Sequence, residues 1–291
     1  MEKSKVLEAG KIAKQIKEYA RAIIKKDRPL LEIAEEIENK ITELGAKPAF
    51  PTNLSINEIS AHYTPSYDDK TLARGLLKID FGVHIGGFIA DTAFSLDLEN
   101  NETNKTLISA SEKALENAIK IIDENIPANE IGKTISETIE SFGASPIVNL
   151  AGHAMKKYDL HAGINIPNID DKKNILIEKG LYAIEPFATF GNGKVRDGKP
   201  SGIYTMINSK NVRSPIAREI LEFVEGEYQT LPFCSRWLVK KFGTKALIGL
   251  KQLEGNGNLH HFPQLIEISG KPVSQAEHTI LIGDEKIVTT D

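Results

Sequence analysis

Cysteine is almost absent from this chain. Cys234 is the only one in 291 residues, so there is no internal disulfide and no cysteine-ligated zinc cluster. With apolar neighbours on one side, it reads as a buried structural thiol. No apolar run approaches the ~20 residues a membrane span needs. The opening M-E-K-S-K-V-L-E-A lacks the apolar core of a signal peptide. Neither sign of charge dominates: 36 basic and 40 acidic residues leave a net charge of −4, with no global pull toward nucleic acid or an acidic membrane. H-E-x-x-H, a P-loop, G-x-S-x-G and C-x-x-C are missing, as is a G-x-G-x-x-G between strand and helix, so the chemistries those motifs carry find no support. What remains is the profile of a soluble globular protein of the cytoplasm, 41% hydrophobic and 26% charged, long enough for one large domain or two ordinary ones.

The most informative stretch runs from Lys78 to Ser95, K-I-D-F-G-V-H-I-G-G-F-I-A-D-T-A-F-S. Alternating residues flank Gly86-Gly87, a hairpin signal. With Ile85-Gly86 as the loop, Asp80 faces Asp91; with Gly86-Gly87 as the loop, the two are diagonal neighbours. Both registers put them on one face. Like charges across a sheet repel. Either one carboxyl is exposed or protonated at a cost, or a cation sits between them.

Along the chain, Val6, Ile12, Ile16, Ala20 and Ile23 recur at helical spacing. A second helical pattern, Leu31 to Ile41, follows Pro29 and ends at Gly45. A turn-rich strand region spans Lys47 to Pro65. After the hairpin, Leu98 to Lys105 reads as a polar, acidic loop, and helical patterns return over Leu107 to Ile122 and Ile131 to Phe142. The sequence then repeats itself. Gly45-Ala46-Lys47-Pro48 is echoed by Gly143-Ala144-Ser145-Pro146, and G-L-L-K-I-D from Gly75 by G-L-Y-A-I-E from Gly180. An internal duplication of a helix–helix–strand–strand unit is the economical reading. It places Glu185 where the first half has Asp80.

L-A-G-H-A-M-K-K-Y-D-L-H-A-G, from Leu150, holds His153 and His161 close to glycines. From Asn208 to Phe262 the pattern changes to three short helices, the first capped by Ser214-Pro215. Cys234 to Gln252 carries Arg236, Lys240, Lys241, Lys245 and Lys251 and no acid. The unit looks like a winged helix, and a solvated lysine face is the favoured reading. Val273 to Ile282 reads as one apolar strand around Glu277, a charge that requires a partner.

These residues define a candidate centre of Asp80, Asp91, Glu185 and Glu277 with His153. Carboxylates buried together without counter-charge raise one another's pKa values. Two divalent cations would balance them, and oxygen-rich ligation with one imidazole suits Mn, Fe, Co or Zn. A hydroxide held between two such metals is a nucleophile at neutral pH, so the implied reaction is hydrolysis of an amide or ester.

K-I-D-F-G-V-H-I-x-G-x-x-x-D resembles the signature of type 2 methionine aminopeptidases. So do F-P-T-N-L-S-I-N, G-H-x-x-x-x-Y-x-L-H-A-G-x-x-I-P-N, I-E-P-F-A-T and Q-A-E-H-T-I-L, in order over nearly the whole chain. The resemblance implies an α+β pita-bread fold over 1–291. Its two pseudo-symmetric halves would surround a curved antiparallel sheet, with a helical insertion over 208–262. It implies removal of initiator methionine from nascent chains whose second residue is small. Two divalent ions would be held with Asp80 on one, His153 and Glu185 on the other, and Asp91 and Glu277 bridging. His62 and His161 would contact the substrate backbone and Glu185 would shuttle the proton. Phe50, Leu160, Ile203 and Phe262 would form the methionine pocket. A monomer without specific nucleic-acid partners is implied; the basic run Arg236 to Lys251 gives the ribosomal exit as a further partner. The sequence departs from the family at Gly86, where Asp or Asn is usual. It also departs at Phe262, where Tyr is common, and at Ile203, where eukaryotic relatives have His. It looks archaeal. The alternatives are an X-Pro peptidase of the prolidase or aminopeptidase P type, and a non-enzymatic pita-bread binding protein.

Overall fold

Pro29 and Gly45 bracket the second helix, and this punctuation sets the layout of the first half. In the computed structural model, which describes residues 2–291, α1 (Lys3–Ile23) and α2 (Leu30–Glu43) each bury one apolar stripe. Of the expected domain, Met1 alone lies outside the described residues. The chain continues through β1 (Lys47–Pro48), β2 (Asn53–Ile56), β3 (Ile59–Ala61) and the hairpin β4 (Leu76–Ile85) and β5 (Phe88–Asp97). Ile16, Ile33, Ile37 and Ile41 of the helices pack on Leu77, Ile79, Phe81, Val83, Ala90 and Phe94 of the hairpin. Because side chains alternate, that packing turns Asp80 and Asp91 to the opposite face.

The second half repeats the first: α3 (Glu102–Ile121), α4 (Ala128–Ser141), β6 (Ser145–Pro146), β7 (Ala151–Met155), β8 (Asn165–Pro167), β9 (Gly180–Ile184) and β10 (Phe187–Thr189). The match extends to single hydrogen bonds. Asp27 donates to the Ala73 carbonyl and Ala73 to that of Arg28, both at 2.8 Å; Asn125 donates to Ile177 at 2.8 Å and Ile177 to Ile126 at 2.9 Å. Asp27 and Asn125 share a left-handed backbone, φ +65° and +66°. Ala49 donates to Gly82 as Ile147 does to Phe187. The last pair carries the same alignment that equates Asp80 with Glu185.

β11 (Val195–Met206) then pairs with β13 (Leu259–Glu267), and between them run α5 (Pro215–Glu227), β12 (Phe233–Cys234), α6 (Ser235–Phe242) and α7 (Lys245–Gly255). These helices have their own core of Ile220, Leu221, Val224, Phe233, Leu238, Leu250 and Leu253. β14 (Val273–Gln275), β15 (His278–Ile282) and β16 (Lys286–Val288) close the chain. Every ladder among the described residues is antiparallel. The result is mixed α/β with a curled antiparallel sheet, as the resemblance implies.

Four details differ from the expectations. Helix α3 starts at Glu102, inside the expected loop, because the Asn101 side chain accepts from the Thr103 and Asn104 amides and caps it. Ser214 precedes α5 with Pro215 in the first turn, but its hydroxyl makes no capping bond. The expected strand over 273–282 is broken at Ala276-Glu277: β14 pairs with β10, whereas β15 pairs with β9. Arg236 is not part of a solvated face, since it is buried against Glu38 on α2. Lys240, Lys241, Lys245 and Lys251 are exposed as expected.

Candidate metal centre

Ile85 pairs with Phe88, so Gly86-Gly87 is the loop, and φ of +57° and +88° give it the two left-handed residues of a type I′ turn. This register sets Asp80 opposite Ala93 and Asp91 opposite Gly82, which makes the two aspartates diagonal neighbours on one face. Gly82 matters for a second reason: a Cβ there would strike the Phe50 ring and the Ala49 methyl. Glu185 follows directly on β9, and His153 lies on β7 opposite Ala183 of that strand. Glu277 occupies the break between β14 and β15, where its amide donates to the Ala93 carbonyl at 3.0 Å. Thr92 Oγ1 donates to the Glu277 carbonyl at 2.9 Å.

All eleven residues expected at the site line one cavity of about 230 Å³: Asp80, Asp91, His153, Glu185 and Glu277, with His62, His161, Phe50, Leu160, Ile203 and Phe262. Asp91, His153 and Glu277 each offer a ligand atom within 4.8 Å of the others. His153 Nε2 lies 3.7 Å from Asp91 Oδ2 and 3.6 Å from Glu185 Oε1. Asp80 accepts from Gln275 Nε2 at 3.4 Å.

The electrostatics of this group are unbalanced. Burial, then the charge of Asp80, pushes Asp91 well above the carboxylate range. Burial and the neighbouring aspartates do the same to Glu185, and burial with all three other carboxylates to Glu277. Burial raises Asp80 to about 7. His153 is lowered to about 3 by burial and then by His161. Asp80 Oδ1, Asp91 Oδ1, His153 Nδ1 and Glu277 Oε2 are buried without a hydrogen-bond partner among the described residues. Unsatisfied acceptors of this kind cost free energy. A set of hard oxygen donors with one imidazole fits divalent cations, whose charge would bring the four carboxylates back down and keep the His153 imidazole neutral.

Around the carboxylates the wall is mixed. His161 packs edge-on against His153, with ring centroids 4.4 Å apart. His62 holds a left-handed backbone at φ +62°, places Nδ1 3.1 Å from the Pro263 carbonyl and meets the Phe262 ring edge-on. Nδ1 can bond a carbonyl only as a donor, so in the neutral ring Nε2 is the acceptor. Burial lowers His62 to about 4 and also lowers His161, so both are neutral at pH 7.

Sequence reasoning missed Asn53, Asn149, Phe187, Pro232 and Leu265, which also line the cavity. Asn53 pairs with Asp80 across β2 and β4 and stands inside the quoted F-P-T-N-L-S-I-N, so the signal was present but unassigned.

A model of metallopeptidase family M24 matches residues 4–222. The methionine aminopeptidase of Methanocaldococcus jannaschii is 45% identical over 289 residues, covering 98% of this chain and 97% of its own. Among solved structures, a thermophilic Arx1 superposes with a TM-score of 0.84 at 16% identity over 98% of this chain and 90% of its own. The methionine aminopeptidase of Thermotoga maritima gives 0.71 at 22% identity, over 99% and 96%. Likeness at such identities shows the fold alone.

Proposed function

The chain belongs to metallopeptidase family M24 and is a methionine aminopeptidase of the archaeal type, and on that premise we propose how its residues share the work. The enzyme removes N-terminal methionine from proteins and peptides whose second residue is small. Its divalent-metal use follows from the family and from the buried Asp–His–Glu group. The finer assignment is our own. Asp80, Asp91, His153, Glu185 and Glu277 would hold two divalent ions (Co, Mn, Fe or Zn). Such ions, when bound, supply Lewis acidity and an activated water at neutral pH.

Protein groups do the rest. Phe50, Leu160, Ile203 and Phe262 give an unbranched thioether an apolar slot. Neutral His62 and His161 stand at the cavity wall to hydrogen-bond the scissile peptide and the oxyanion that forms from it. One Glu185 oxygen accepts the proton of the attacking water and returns it to the departing amine. The substrates are nascent N-termini, met by a monomer in the cytoplasm. The exposed Lys240, Lys241, Lys245 and Lys251 give the ribosome a basic docking face. Salt-sensitive co-sedimentation with ribosomes tests that, and its absence at low salt contradicts it.

The observation that carries this reading is the convergence of four carboxylates and one imidazole, with orphaned buried oxygens, on a cavity with apolar walls. Cleavage of Met-Ala-Ser by metal-reconstituted enzyme, against an X-Pro peptide, tests it. Preference for the X-Pro peptide would favour a prolidase-like activity; metal without turnover of either would favour a binding protein.

A further inference from the structure

One buried ion pair joins the helical segment between β11 and β13 to a wall of the cavity. Glu38 on α2 and Arg236 in the first turn of α6 are 7% and 3% exposed. The Glu38 carboxylate collects four donors. Arg236 Nη2 and the Thr52 amide reach Oε1 at 2.8 and 3.1 Å, and Arg236 Nη1 and Trp237 Nε1 reach Oε2 at 2.7 and 2.8 Å. The Arg236 Nε–H donates to the Pro65 carbonyl at 3.0 Å. Thr64 Oγ1 donates to the Thr52 carbonyl at 2.9 Å and lies 3.4 Å from Arg236 Nη2. Thr52 and Pro65 are the two ends of the segment that contains β2 and β3. That segment carries Asn53, Ala61 and His62 into the cavity, and Phe50 lies two residues before it.

We propose that Glu38, Arg236 and Trp237 are positioning residues, through which the helical segment fixes His62 at the substrate-facing wall. This rests on the aminopeptidase reading above. The ion pair ties the ends of a segment whose interior is held by the β2–β4 ladder and by the Leu54 amide, which donates to the Tyr63 carbonyl at 2.7 Å. β3 pairs with β13 through only Ala61 and Ile59, with an irregular register between them. His62, at φ +62°, is a non-glycine residue in the left-handed region, a conformation that persists only where its surroundings over-determine it. Stability alone does not explain the choice of residues. A buried ion pair is often no more stabilising than apolar groups of the same volume, because desolvating the charges offsets their attraction. What the guanidinium fork adds is geometry: two parallel bonds to a carboxylate fix orientation as well as distance.

A double-mutant cycle tests the proposal. Arg236→Lys keeps the charge and loses the fork; Trp237→Phe keeps the ring and loses one donor. Each is measured alone and in a His62→Ala background, as kcat and KM for Met-Ala-Ser, with bound metal counted. If the clamp acts through His62, Arg236→Lys lowers kcat/KM about tenfold or more in the wild-type background with metal content unchanged. In His62→Ala it lowers it far less, and Trp237→Phe shows the same pattern at smaller amplitude. An equal fold-loss in both backgrounds, or no loss, overturns the proposal. If Arg236→Lys does not fold, Trp237→Phe decides. Amide exchange gives a readout independent of turnover: residues 53–62 exchange faster in either variant while α3 and α4 do not, and unchanged exchange over 53–62 overturns the clamp. A metal-loaded wild type that cleaves nothing contradicts the aminopeptidase reading, and the exchange still decides the clamp.

Discussion

Asp80, Asp91, Glu185 and Glu277 cannot all ionise in one small cavity without a counter-charge, and the consequences fall on single residues. Asp91→Asn or Glu277→Ala should lose bound metal and turnover together, by about a hundredfold or more in rate. Full activity with metal retained in either variant would remove it from the ligand set. His161→Ala should lose rate and keep metal; loss of metal would make it a ligand. His84 offers a test on stability. It is buried, accepts the Gly87 amide on Nδ1 at 3.1 Å, and is lowered to about 4 by burial and then by Lys47. The unfolded imidazole binds its proton near pH 6.5, so between 6.5 and 4 the unfolded chain holds more protons than the folded one. The stability His84 contributes is therefore full above pH 6.5 and is lost as pH falls toward 4. His84→Asn, which can still accept the Gly87 amide, should show a shallower loss between pH 7 and 4.5 in urea unfolding; an identical slope would exclude His84. At this scale the sequence was most legible where chemistry is local. Asp80 and Asp91 share a face by alternation alone. Arg236 was misread because its partner Glu38 lies 198 residues away, and nothing in a one-dimensional run of basic residues marks the member that turns inward.

Among the elements, the β4–β5 hairpin bears most directly on the site, and its turn separates two glycines that look alike in sequence. Gly86 at φ +57° has only the Lys5 side chain near its Cβ position, 3.6 Å away. Asn tolerates this region and suits the first position of a type I′ turn. Gly86→Asn should leave stability unchanged or raise it by about 0.5 kcal/mol. Gly87 at φ +88° has the Tyr158 ring where a Cβ would go. Gly87→Ala should cost about 1–3 kcal/mol in thermal or urea unfolding. Equal effects at the two positions would contradict the register. Helix interiors were legible from periodicity. The start of α3 was not, because Asn101 caps it from within a polar stretch that resembles a loop. The break at Glu277 was hidden by an unbroken apolar pattern: β14 and β15 join different partners, a tertiary fact.

Across the whole molecule the duplication is what builds the site. The first half supplies Asp80 and Asp91, the second supplies His153 and Glu185, and Glu277 arrives on the closing strands, anchored to Ala93 of β5. The repeat was readable because two short echoes fell in the same order after the same helix pair, and the matched backbone bonds at Asp27 and Asn125 carry it into three dimensions. The dependence of the wall at His62 on the helical segment was not readable, since it rests on one ion pair between distant segments. The central claim is that the five converging residues load divalent metal and that removal of methionine depends on it. Its most direct test is one titration: chelated protein is given a divalent cation, and metal bound per chain and cleavage of Met-Ala-Ser are followed together, beside the Asp91→Asn variant. The account predicts no cleavage at zero metal, a rate that rises with metal bound up to two ions per chain, and neither signal in the variant. Full cleavage by the metal-free protein, or normal loading and rate in Asp91→Asn, would contradict it.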